Sequence, residues 1–138
     1  MQTKTQPYKF DKLYERIENS RSGEPKIRGK NVTARITGTH ITGNRAITIR
    51  HYNTDIAVIE EYSKDGTLYL WIDTNGFCRS GGGFWEDRPS GMTKHYLNEI
   101  FRAYNVDTRI FQKDFVWYFH DQNGTFDYFD GAAFWGSK

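Results

Sequence analysis

The chain predicts an α+β domain: an antiparallel β-meander with an N-terminal helix, a second helix after a Gly-rich loop, and C-terminal β-hairpins. Three observations predict it. Residues 31 to 73 alternate apolar and polar side chains with period two, the signature of half-buried strands. Two other segments, starting near Phe10 and Met92, carry apolar residues at helical spacing. Asp65-Gly66 and Asn123-Gly124 supply the positive φ that tight hairpins demand.

Residues 1–9 are polar and are expected to be disordered. Phe10, Leu13, Tyr14 and Ile17 then predict a helix over 10–22, with Asp11 as N-cap and Gly23 as the stop. Residues 20–30, rich in Ser, Gly, basic residues and one Pro, read as a linker. The meander over 31–73 follows, its strands NVTARIT, RAITIRH, TDIAVIEEYS and TLYLWID separated by turns. Residues 74–92 form the Gly-rich loop, and Met92, Tyr96, Leu97, Ile100, Phe101 and Tyr104 stripe a helix placed over 93–104. Antiparallel strands occupy 107–130, and residues 131–138 carry no assignment. All 138 residues make one domain.

Aromatic residues make up 17% of the chain, so its apolar content comes as large rings that suit sheets and stacking sites. No run reaches the roughly 20 apolar residues of a membrane helix, and the N-terminus lacks a signal-peptide core, so no membrane partner and a cytoplasmic location are expected. The single cysteine, Cys78, excludes an internal disulfide. A net charge of +2 is too small for nonspecific DNA binding, so no DNA partner is expected.

The loop holds the residues best suited to a ligand. Gly76, Gly81, Gly82 and Gly83 permit close backbone approach, Phe77, Phe84 and Trp85 offer flat faces, and Arg79 and Arg88 offer planar cations. A base stacked on such a ring gains roughly 1–3 kcal/mol. Arg79, Lys94 and Arg109 could clamp a pyrophosphate, aided by a helix N-terminus at Thr93–Lys94. Thr93 and Asn98 could bond ribose hydroxyls or base edges, although a helix cap and a surface amide explain them equally well. His51 and the Asn53-Thr54 turn read as structural. His40, His51, His95 and His120 lack metal-ligand spacing, and no carboxylate pair or activated cysteine points to catalysis, so neither catalytic residues, metal nor cofactor is expected.

The chain resembles a family of small phage-encoded proteins over residues 31–119, through Asn31 and Thr33, His51, Asn53, Thr54 and Ile56, Asp65-Gly66, Asn75-Gly76-Phe77, Thr93, Lys94, Leu97 and Asn98, and a closing Arg109, Phe111, Gln112, Trp117 and Tyr118. It departs at Asn75 and Phe77, where that family has Gly and Trp, and in an insertion over 80–91. The pattern is similar to the phage Thoeris anti-defence protein one family. That resemblance implies a homo-oligomeric sponge in the cytoplasm of an infected bacterial host, which sequesters a nucleotide-derived signal, a cyclic ADP-ribose isomer, without cleaving it. The ligand-binding residues expected from loop chemistry and resemblance together are Phe77, Arg79, Phe84, Thr93, Lys94, Asn98 and Arg109.

Two other classes compete. One is a phage inhibitor of a host protein such as a nuclease or polymerase, anchored by Trp85, Arg88 and Trp135. The other is a single-stranded nucleic-acid binder that stacks bases on a sheet.

Overall fold

A computed structural model describes residues 6–29, 31–37, 44–75, 87–114 and 116–138. After a 3-10 turn (Gln6–Tyr8) come α1 (Phe10–Glu18), β1 (Lys26–Arg28), β2 (Val32–Ile36), β3 (Ala46–His51), β4 (Thr54–Glu61) and β5 (Thr67–Ile72). Then follow α2 (Asp87–Ala103), β6 (Arg109–Lys113), β7 (Val116–Asp121), β8 (Gly124–Asp127) and β9 (Ala133–Ser137). The fold is α+β, with a six-stranded sheet in the order β1-β2-β3-β4-β5-β9 and a three-stranded sheet in the order β6-β7-β8. Every strand pairing is antiparallel.

The alternation in sequence becomes the two faces of the sheet. In β5, Leu68, Leu70 and Ile72 are buried, while Thr67, Tyr69 and Trp71 stand half-exposed on the other side. Phe10, Leu13 and Ile17 of α1, Leu97, Ile100 and Phe101 of α2, and Ile110, Trp117 and Phe119 of the small sheet join the large sheet's inner face in one hydrophobic cluster. The Asp65-Gly66 hairpin forms as its chemistry requires. Gly66 takes φ +101°, and the Asp65 carboxylate accepts bonds from the Thr67 backbone N–H (2.9 Å) and hydroxyl (2.7 Å).

The structure differs from the sequence reading at several points, the first being residues 6–8, which were expected to be disordered and instead form the 3-10 turn with Tyr8 buried. α1 starts at Phe10 with Lys9, which makes no side-chain cap bond, at its N-cap. Asp11 lies inside the first turn, where its carboxylate is held by Arg45 and Lys138. The helix stops at Glu18 rather than 22: the Asn19 N–H bonds to the Glu15 carbonyl (3.0 Å) and the Ser20 N–H closes back on Ile17 (3.1 Å) in a tighter last turn. α2 begins at Asp87, six residues before its expected start, so the loop is shorter than 74–92. Pro89 is no obstacle there, since a proline in the first helical turn lacks only an N–H that has no intrahelical partner. The linker over 20–30 contains β1, and the unassigned tail is β9, which returns to pair with β5.

That return brings the C-terminus to the start of the chain. Arg45 bridges Asp11 (2.8 Å) and Glu61 (2.7 Å), and Lys138 bonds the same two carboxylates. The Arg45 and Lys138 bonds hold the Glu61 acidity at about 2, below its ordinary 4.5. Because the folded value is the lower one, this contribution is complete above about pH 4.5 and is lost as pH falls toward 2. After discounting for solvent screening, Glu61→Gln should remove about 1–2 kcal/mol of stability at neutral pH. It should also flatten the acid limb of a melting-temperature profile between those two values; an unchanged profile would remove the assignment.

Candidate functional site

Among the residues expected to bind a ligand, Phe77, Arg79 and Phe84 lie outside the described residues, as do Trp85 and Cys78. Thr93, Lys94 and Asn98 lie in the body of α2 and not at its N-terminus, so the expected dipole-assisted phosphate site at Thr93–Lys94 does not exist. Their side chains are engaged in the fold. Thr93 is buried, with its hydroxyl 2.6 Å from His51 Nδ1. Lys94 Nζ donates to Gln112 Oε1 at 3.3 Å. Asn98 accepts from the Ile110 N–H (2.7 Å) and donates to the Ile110 carbonyl (2.9 Å).

Asn98 thus stands in for a missing neighbouring strand. β6 pairs with β7 on one side only, and the amide of Asn98, having one acceptor and one donor group, matches the free backbone edge on the other side. His51 is likewise structural. It is 4% exposed, packs edge-on against Tyr96 at 5.0 Å, and burial lowers its basicity.

Chemistry-bearing groups also meet around Glu99, which is fully buried. Its carboxylate accepts two bonds from Arg28 (3.2 and 3.0 Å) and one from the Tyr8 hydroxyl (3.1 Å), with His95 Nε2 at 3.5 Å. Burial alone would push this acid up, but the Arg28 bonds and charge, with Tyr8, outweigh it and hold it below the usual carboxylate range. The Tyr8 and Arg28 contacts tie the N-terminal segment and β1 to α2, while that of His95 lies within the helix. Glu99 is saturated, so we read the cluster as a structural clamp.

Arg109 is different, because it stands on the solvent side of the small sheet. Strand alternation sends Ile110 inward and puts Arg109, Phe111 and Lys113 of β6 on the outer face. The same alternation buries Trp117 and Phe119 of β7 and turns Tyr118 and His120 outward. The register pairs Arg109 with His120 and Phe111 with Tyr118. The Phe111 and Tyr118 rings stack at 5.4 Å with a 26° tilt, the Arg109 guanidinium lies 5.8 Å over Phe111, and His120 meets Phe111 edge-on at 6.3 Å. His120 Nδ1 is fixed 3.0 Å from the Thr125 hydroxyl on β8.

Arg109 and His120 also form one wall of a cleft of about 340 Å³, whose remaining lining is Val106, Asp107, Thr108, Asp121 and Gln122. The Asp121 carboxylate is partly committed, since it accepts the Asn123 N–H at 2.7 Å in the β7–β8 turn. The arrangement offers a flat stacking surface, a guanidinium for an anion, and carboxylate, hydroxyl and amide groups for hydrogen bonds. No group of three or more metal-ligating side chains occurs among the described residues.

The sequence reading placed Arg109 among the ligand-binding residues, whereas Phe111 and Tyr118 entered only through the resemblance. The signal was present in the alternation Arg109-x-Phe111-x-Lys113 followed by Tyr118-x-His120, and only the hairpin register aligns the two halves. No family model, curated protein or solved structure matches this chain.

Proposed function

We propose that this chain is a binding protein that captures a nucleotide-derived ligand on the outer face of the β6–β8 sheet and releases it chemically unchanged. The observation that carries the reading is the stacked Phe111–Tyr118 pair with Arg109 over Phe111, Arg109 and His120 being the residues that this ring face shares with the neighbouring cleft. A base lies on the ring surface, a phosphate takes the Arg109 guanidinium, and ribose or base edges reach the donors and acceptors of the cleft. Arg109, Phe111 and Tyr118 are also among the residues that carry the resemblance to the phage anti-defence family, which supports a cyclic ADP-ribose isomer as the ligand and an infected bacterial cytoplasm as the setting.

The test is to incubate the purified protein with the signal mixture of a bacterial TIR enzyme, remove free ligand, denature the protein, and identify what is released by mass spectrometry. Intact nucleotide in stoichiometric amount is the expected result; recovery of nothing, or of a cleaved product, would overturn the reading. Phe111→Ala and Arg109→Ala should each weaken binding by about 10- to 100-fold, the loss of a stacking or charged contact of 1–3 kcal/mol. The Arg109 side chain is exposed, so its variant should melt with the parent.

A second reading rests on the same face. Lys113 shares it with Arg109, Phe111, Tyr118 and His120, and such an interleaving of cations and rings on a sheet also suits single-stranded nucleic acid. Affinity for an oligonucleotide that falls steeply with salt would favour this alternative.

A further inference from the structure

The four edges of the two sheets are treated unequally. β1 is three residues long, carries Lys26 and Arg28, and has its Lys26 carbonyl capped by Arg16 at 2.6 Å. β6 is capped by Asn98. β8 is four residues long and ends on the charged Asp127. β9, Ala133–Ser137, carries neither charge nor proline, the two ordinary guards of a strand edge.

The pairing with β5 fixes which β9 groups face outward. The Ile72 N–H bonds to the Ala132 carbonyl and the Lys138 N–H to the Gly66 carbonyl, so even-numbered residues of β9 face β5. Ala133, Trp135 and Ser137 therefore turn their backbone groups away from it. The Ser137 N–H goes to the Tyr104 carbonyl (2.8 Å), and the Ser137 hydroxyl accepts from Asn105 Nδ2 (2.9 Å), which closes that end of the edge. Among the described residues, Ala133 and Trp135 remain as the open stretch.

The side chains on the same edge are apolar and continue inward as a row of rings. Trp135 is 57% exposed and meets Tyr62 (53% exposed) at 4.7 Å and Tyr69 at 4.7 Å, and Tyr69 meets Trp71 at 4.5 Å. Ala133, also exposed, lies directly across from Trp71, so the outer face steps down there beside large rings.

We propose that β9 pairs antiparallel with β9 of a second copy of this chain, about a two-fold axis at Phe134. This register sets Ala133 opposite Trp135 of the other copy, and the reverse. It forms about four backbone hydrogen bonds and stops where Tyr104 and Asn105 close the edge. Each exposed Trp135 ring then covers the small Ala133 beside Trp71 of the other copy, joining the two aromatic rows. An uncharged strand can meet itself in this way, since no like charges are brought together. The two six-stranded sheets become one continuous sheet.

Sedimentation equilibrium over a range of protein concentrations tests the pairing independently of any ligand. The parent chain should be a dimer. Trp135→Lys, which places a charge at the two-fold contact without touching the core, should weaken the dimer by roughly 30-fold or more while circular dichroism stays that of the parent, and the two should melt alike only at a dilution where the parent is also monomeric. Val116→Lys, an exposed apolar position on the small sheet, should leave the dimer intact. A parent chain that stays monomeric at its solubility limit, or a Trp135→Lys variant that dimerises as tightly as the parent, would overturn the proposal.

Discussion

Glu99→Ala is expected to cost about 2–3 kcal/mol of folding stability, less than the full loss seen when a buried charge is left uncompensated, because Arg28 keeps access to water while the Tyr8 hydroxyl loses its acceptor. Three donors converge on this carboxylate: two from Arg28, whose side chain is 34% exposed, and one from Tyr8, which is fully buried. Alanine leaves the guanidinium with a solvent-facing remnant and the phenol with no acceptor in a dry site. Domains of this kind are stable by roughly 5–15 kcal/mol, so the loss is a large fraction of the total. Glu99→Gln keeps the shape and an acceptor for Tyr8, and should fall between alanine and the parent. Urea unfolding of the three proteins decides it, and near-equal midpoints would show that the clamp contributes little.

Asn98→Ala should cost about 2–4 kcal/mol, because the N–H and carbonyl of Ile110 both lose their partner beside a buried side chain. The effect should be on stability rather than ligand affinity, provided binding is measured well below the melting temperature. That pattern separates Asn98 from Arg109, for which the opposite is expected. Asn98→Asp keeps the acceptor for the Ile110 N–H but sets an oxygen against the Ile110 carbonyl, so it should not restore the parent. An Asn98→Ala protein that unfolds with the parent yet loses ligand would return this residue to the binding site.

Local pattern made much of the fold legible. The strands of the meander required only period-two alternation and an Asp-Gly turn; the alternation is visible in the burial of β2 and β5, whereas the central strands β3 and β4 also bury residues of the other phase, Thr48 and Ala57 among them. β1 and β9 escaped notice because each is short and set among Gly, Ser or Pro, and their pairing partners supply the structure that their own residues do not encode. The start of α2 was misplaced for a related reason: Pro89 and Gly91 look like loop residues, whereas a helix tolerates proline in its first turn and can absorb one glycine.

The candidate site was less legible than the fold. Thr93 and Asn98 have the donors and acceptors a ligand would want, but the same groups are what a buried histidine and a bare strand edge want, and sequence cannot say which of these is nearer. Arg109 was expected to clamp a phosphate with Arg79 and Lys94, but the structure shows it beside Phe111, with His120 opposite it in the hairpin register.

By itself the sequence determined the fold class, the phase of the central strands and the residue types that could bind a planar anion, because these depend on near neighbours along the chain. Only the tertiary structure decided which polar groups are consumed internally, which rings share a face and which strand edge stays open. Those outcomes depend on contacts between residues far apart in the chain, such as Tyr8 with Glu99 and Tyr69 with Trp135, and no local pattern encodes such distances.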